Sequence, residues 1–292
     1  MKVAVVGGGI MGSGIAQLAA MHGHEVALRD IGAEPLERAR TAVESSLDKL
    51  VSKERLAADD ADGARQRLAY TEDLAAAVDG AEAVIEAVPE VLELKHQVFA
   101  EIIELAPADA LLGTNTSQLS ITSIGAPIGT EAERLVGMHF FNPPVLMRLC
   151  ELVRGLRTSD DALERARSFA EGIGKDVVVC QKDSPGFITS RAYAILRLEC
   201  LRMLDEGVAT AEDIDVAMRL GFNFPMGPLE LGDFNGLDTY LHAIESLERA
   251  HGDRFHPTVG LRNMVAAGKL GRKSGEGFYR YDESGRRVTD DA

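Results

Sequence analysis

A glycine cluster near the start of the chain, and one histidine with an acidic residue twelve positions on, are the parts of this 292-residue sequence best suited to chemistry. Gly7-Gly8-Gly9-Ile10-Met11-Gly12 satisfies the spacing G-x-G-x-x-G. Between a strand and a helix, the first glycine permits a tight turn and the second lets the backbone approach a pyrophosphate. The third lets the helix pack closely on the strand, and amides at the helix start face the anion. Asp30 stands where an acidic residue is expected, about 20 residues on, to accept hydrogen bonds from an adenosine ribose. Its carboxylate would repel a 2'-phosphate and so favours NAD, although neighbouring Arg29 keeps NADP open. The same glycine signature also serves FAD and non-redox enzymes, and a bare turn satisfies it too.

His139 is the other candidate, although most histidines are structural or solvated. It ends an apolar run that reads as a strand, and in open α/β sheets ligands bind at that carboxyl edge. Polar Asn142 follows it closely. Glu151, on the next strand-like run, is placed to hold the imidazole in one tautomer and to stabilise its charged form. No metal is expected. Cys150, Cys180 and Cys200 lie far apart without CxxC spacing, and His22 and His24 flank a helix end with no further ligands. Asp59, Asp60 and Asp62 read as a solvated turn.

The elements that must position these residues follow from periodicity. Val3-Ala-Val-Val6 is a short buried strand, residues 15–22 form a helix closed by Gly23, and residues 25–28 form a second strand ending at Asp30. Residues 34–50 are helical, and the highly charged segment 49–66 reads as a helical excursion from the sheet, spanning about residues 45–67 in all. Strand signals recur at 68–70, 83–87, 110–113, 135–139, 149–153 and 176–180, with helices at 92–105 and 160–172. Such alternation predicts an α/β fold with a doubly wound, mainly parallel sheet of Rossmann type. After Asp183-Ser-Pro-Gly186 the strand signals stop and helical patterns at 188–206 and 212–220 take over. The expected division is a cofactor-binding domain over 1–184 and an all-helical second domain over 185–292, with a polar tail after Tyr281. A helical domain this small, with runs such as Ala192-Tyr-Ala-Ile-Leu196, is expected to bury apolar surface on a second copy, giving a homodimer.

Composition narrows the function classes. A formal net charge of -15 argues against nucleic-acid or membrane-surface binding, since such proteins collect basic residues against phosphate. A phosphorylated ligand must therefore meet a local basic patch. Lys49 and Lys53, four apart on one helix face, with Arg55 nearby, form one, and a solvated helix face explains them equally well. Residues 3–21 are uncharged and could pass for a signal peptide or a span, but five glycines would weaken a membrane helix. The expectation is a soluble, cytoplasmic protein whose thiols stay reduced.

The ordered blocks from Gly7 to Ala16, Asn115-Thr-Ser117, His139-Phe-Phe-Asn-Pro143, Lys182-Asp-Ser-Pro-Gly-Phe187, Pro225-Met-Gly-Pro228 and Gly271-Arg-Lys-Ser-Gly-Glu-Gly-Phe-Tyr279 resemble those of L-3-hydroxyacyl-CoA dehydrogenases from end to end. The resemblance implies NAD-dependent, reversible oxidation of a (S)-3-hydroxyacyl-CoA ester, short-chain such as 3-hydroxybutyryl-CoA, a chemistry shared by β-oxidation, butanoate synthesis and polyester formation. It implies His139 as catalytic, Glu151 as its carboxylate partner and Ser117 as a contact to both substrate and nicotinamide. By the same resemblance Asn142 lies near the nicotinamide, and Glu90, Lys95 and Lys273 contact NAD. Ser46 and Lys53 would contact coenzyme A. One block departs from the family: Ser190 stands where an active-site asparagine is usual, with shorter hydrogen-bonding reach. Two competing readings are a related dehydrogenase of a free hydroxy or sugar acid, and a non-catalytic NAD-binding structural protein.

Overall fold

Strand β1 (Lys2–Val6) shows how the sequence divides the first unit into layers. Its side chains alternate, Val3 and Val5 entering one apolar cluster and Ala4 and Val6 the other, so the strand is buried on both faces. In chain order there follow α1 (Ile10–Met21), β2 (Glu25–Arg29), α2 (Ala33–Ser52), α3 (Ala58–Gln66) and β3 (Leu68–Thr71). Next come α4 (Leu74–Val78), β4 (Ala83–Glu86), α5 (Leu92–Leu105), β5 (Leu111–Thr114) and α6 (Ile121–Gly125). The unit closes with β6 (Leu135–Phe140), β7 (Leu149–Val153), α7 (Asp160–Gly172) and β8 (Asp176–Cys180). The structure, a computed structural model, describes residues 1–288. The last four residues of the expected polar tail lie outside the described residues.

The eight strands run in the order β3-β2-β1-β4-β5-β6-β7-β8. The direction of winding reverses between β1 and β4, which opens a crevice at the carboxyl ends of the strands. All neighbours are parallel except β6 and β7. The chain from Phe140 to Leu149 is too short for the dozen or more residues that a parallel crossover needs, so the two strands must run antiparallel. The expected α/β doubly wound, mainly parallel sheet is therefore present, with one reversed pair beneath His139.

The charged excursion is the hairpin of α2 and α3. Leu36, Ala39, Val43, Leu47 and Leu50 line the buried stripe of α2 at helical spacing. Arg65 on α3 joins the pair, with Glu44 at 2.5 Å, Asp48 at 2.6 Å and Asp62 at 2.7 Å. Helix α1 starts at Ile10 rather than at residue 15, so Gly12 and Gly14 lie inside it.

The chain falls into two compact units, Met1–Phe187 and a second from Ile188 on. The second unit comprises α8 (Thr189–Asp205), α9 (Ala211–Phe222), α10 (Pro228–Asn235), α11 (Leu237–His251) and α12 (Val259–Ala266). It is not wholly helical. A hairpin of β9 (Arg280–Tyr281) and β10 (Arg287–Val288) follows, strands too short to leave a period-2 signal. Two buried aspartates attach this segment to the helices. Asp233 accepts from the Phe278 and Tyr279 amides at 3.0 and 2.9 Å, and Asp215 accepts from the Tyr279 hydroxyl at 2.7 Å.

Candidate active site

The glycine cluster makes a turn that other residues cannot make. Gly7 has φ +109°, and a Cβ there would lie 2.6 Å from the Ala87 carbonyl oxygen. A Cβ on Gly12 would lie 1.8 Å from the Gly7 carbonyl oxygen, so the first turn of α1 packs directly on the loop. Gly9 is different: nothing stands within 4 Å of its would-be Cβ, leaving open space above the start of α1. Gly9 is also the helix N-cap, with no side-chain cap and no acidic residue in the first turn. Uncapped amides beside open space suit a pyrophosphate, so these residues fit a dinucleotide. Asp30 stands at the end of β2, its Oδ2 accepting from the Gly8 amide at 2.6 Å and its Oδ1 from the Ile31 amide at 2.6 Å. The carboxylate is thereby fixed beside the turn.

His139 and Glu151 are register partners across the β6–β7 pair. His139 Nδ1 lies 2.7 Å from Glu151 Oε2, with the glutamate fully buried and the histidine nearly so. A carboxylate accepts, so Nδ1 carries the proton and Nε2 keeps its lone pair for a reacting group. The rings of Phe141 and Phe187 lie 4.4 Å and 5.7 Å from the imidazole and shield it from bulk water. Where β5 and β6 stop pairing, Asn115 Oδ1 accepts from the Phe140 amide at 3.1 Å, holding the residue after His139 to the end of β5. Asn142 is exposed, and its bond to Pro143 is cis. The loop after it is held by Lys175, whose ammonium donates to the carbonyls of Pro144 and, at 2.7 Å, Met147. Cys150, beside Glu151, is inert because burial pushes its thiol up to about 12.

Ser117 lies on the loop after β5, and Glu90 organises that loop. Glu90 Oε1 accepts from the Thr116 hydroxyl at 2.6 Å and from the amides of Ser117 and Gln118 at 2.9 and 3.1 Å. Beneath it sits Lys95, fully buried, with its ammonium 2.7 Å from Glu86 Oε1 and 3.7 Å from Glu90 Oε2. Lys95, for which the resemblance implies a contact to NAD, is thus enclosed, with its ammonium facing Glu90. Glu86 also accepts from the Thr114 hydroxyl at 2.6 Å and the Val88 amide at 2.7 Å. Burial pushes its carboxyl up, opposed in part by the facing ammonium and two further donors.

The remaining predicted residues are carried on other elements. Ser46 is half-buried on α2, and Lys53 is that helix's C-cap rather than a residue within it, its amide bonding the Lys49 carbonyl. Ser190 is in the first turn of α8, and Lys273 pairs with Asp238 at 2.6 Å, both within the second unit. Sequence reasoning assigned no role to Glu86, Thr114, Asn115, Thr116, Phe141 or Phe187. Glu86 had left a signal: a charged residue near the end of an apolar strand. Among the described residues no cluster of His, Cys, Asp or Glu could hold a metal ion.

Comparison with known proteins extends these observations. Residues 2–184 match the family described as 3-hydroxyacyl-CoA dehydrogenase, NAD binding domain, and residues 186–281 match 3-hydroxyacyl-CoA dehydrogenase, C-terminal domain. A Deinococcus radiodurans protein named "Probable 3-hydroxybutyryl-CoA dehydrogenase" is 42% identical over 282 residues, covering 96% of this chain and 100% of the relative. The human protein named "Hydroxyacyl-coenzyme A dehydrogenase, mitochondrial" is 39% identical over 286 residues, 96% of this chain and 90% of its own. Among solved structures, the (S)-3-hydroxybutyryl-CoA dehydrogenase of Ralstonia eutropha superposes with a TM-score of 0.93 at 39% identity, covering 97% of this chain and 99% of that one.

Proposed function

The chain belongs to the 3-hydroxyacyl-CoA dehydrogenase family, and from that premise we propose that it oxidises (S)-3-hydroxyacyl-CoA esters reversibly with NAD, acting on short chains such as 3-hydroxybutyryl-CoA. The observation that carries this reading is the buried His139–Glu151 pair, which leaves imidazole Nε2 free to act as a base. In the oxidative direction His139 takes the proton of the 3-hydroxyl, and Glu151 stabilises the imidazolium that results. Ser117, exposed on its braced loop, donates a hydrogen bond to the oxygen as it becomes a carbonyl. NAD, when bound, supplies the acceptor for the hydride that leaves the same carbon.

In this reading the segment from Gly7 to Gly12 cradles the pyrophosphate, and Asp30 receives the adenosine ribose. Glu90, supported by Lys95, sets the nicotinamide end together with Ser117 and Asn142, and Lys273 is assigned to NAD by the same family pattern. Ser46 and Lys53 meet coenzyme A. Support for the last assignment is electrostatic: Arg38, Arg40 and Arg65 of the α2–α3 hairpin are all paired with carboxylates. Lys49, Lys53 and Arg55 have no ion-pair partner among the described residues. They form a local cationic patch on an acidic protein. Ser190 takes the position of the usual asparagine among the substrate-binding residues.

The protein is further proposed to be a homodimer joined through its helical unit, on which Val208, Leu220 and Phe222 are 65%, 82% and 72% exposed. A reducing, cytoplasmic setting accords with three free thiols, and no helix among the described residues is long and apolar enough to cross a membrane. A place in β-oxidation follows if the oxidative direction prevails. The test is consumption of NADH with acetoacetyl-CoA set against free acetoacetate and sugar acids. Turnover of the thioester alone is expected, and turnover of the free acids alone would overturn the proposal.

A further inference from the structure

Glu86, Lys95 and Glu90 form a charged group whose role the reaction scheme leaves undefined. Two carboxyl groups face one ammonium, at 2.7 and 3.7 Å, so the group holds one more acidic than basic side chain. Glu86 and Lys95 are fully buried, where salt does not screen them. The partly exposed member is Glu90, whose Oε1 accepts from the Ser117 amide at 2.9 Å.

NAD+ and NADH present nearly the same groups to a protein. They differ chiefly at the nicotinamide, a cationic pyridinium in one and a neutral dihydropyridine in the other. A fixed anion beside that ring therefore acts on the oxidised nucleotide and scarcely on the reduced one. We propose that the Glu86–Lys95–Glu90 group sets the ratio of NAD+ to NADH affinity by attracting the pyridinium, Glu90 supplying the charge and the buried pair fixing its position. This inference rests on the nicotinamide being seated at Ser117, as proposed above. Glu86 and Lys95 are then positioning residues.

Calorimetric titration of NAD+ and of NADH into the full chain tests it, using wild type, Glu90→Gln and Glu86→Gln. Glutamine at position 90 keeps an acceptor for the Ser117 amide and removes only the charge. Loss of one unit charge beside the ring should weaken NAD+ by roughly tenfold or more while NADH stays within about twofold. Glu86→Gln should move the ratio in the same direction, and it carries the test if Glu90→Gln does not fold. Equal weakening of both nucleotides, or no change in either, would overturn the inference while leaving the nicotinamide site intact. A wild-type protein that binds neither nucleotide would overturn the seating itself, and the inference with it.

Discussion

Glu151 stands directly opposite His139 in the antiparallel ladder of β6 and β7, and the two side chains meet at 2.7 Å inside the protein. Backbone pairing sets this distance, so the orientation of the imidazole does not depend on a flexible loop. Glu151→Gln should preserve the hydrogen bond to Nδ1–H but remove the charge that stabilises the imidazolium. A fall in kcat of roughly tenfold to a hundredfold, with NADH affinity unchanged, is the expected outcome. Steady-state kinetics beside a binding titration checks it, and unchanged kcat would dismiss the carboxylate's role.

Gly9 and Gly12 should respond differently to alanine. At Gly12 the new methyl would meet the Gly7 carbonyl oxygen, so Gly12→Ala should destabilise the fold as well as abolish nucleotide binding. At Gly9 the methyl enters open space, so Gly9→Ala should keep its melting temperature yet lose about tenfold or more in affinity by blocking close approach to the pyrophosphate. Differential scanning fluorimetry with and without NADH separates the two.

The cationic end of the α2–α3 hairpin gives a prediction of binding alone. Lys53→Ala should raise KM for acetoacetyl-CoA several-fold with little change in kcat, because a remote phosphate contact contributes equally before and during the chemical step. The effect should shrink as salt rises. Equal KM values for the two proteins at low ionic strength would remove Lys53 from the substrate site.

A pH effect on stability follows from His24, which packs against Phe169 with its Nδ1 buried and without a partner. Burial pulls its pKa below the ordinary value of 6.5. The unfolded chain therefore takes up this proton more readily than the folded protein. His24's contribution is complete above pH 6.5 and is lost as pH falls from there toward the folded pKa. His24→Phe should reduce the decline in stability across that window. Urea denaturation of both proteins on either side of pH 6.5 measures it, and identical slopes would refute the assignment.

Much of this arrangement is legible from residue order. The bounds of β7, β8, α5 and α7 coincide with their expected ranges, since each is a clean apolar run or an amphipathic stretch between turn residues. Asp30 is found by its distance from the glycines, and Glu151 by its place on the strand after His139. What stays hidden depends on tertiary packing. The buried Glu86–Lys95 pair joins a strand to the following helix, and nothing in local pattern distinguishes Lys95 from the exposed Lys49 of α2. The bond from Asn115 to the Phe140 amide forms where β5 ends and β6 continues, a difference in strand length without a sequence signal. The β9–β10 hairpin escapes because its strands have two residues each and depend on Asp233 for attachment.

The central claim is that one imidazole moves the proton of the 3-hydroxyl, and His139→Gln tests it most directly. With acetoacetyl-CoA and NADH at saturation, the variant should turn over roughly 100-fold or more slowly than wild type while binding NADH normally. Turnover within a few-fold of wild type would contradict the account.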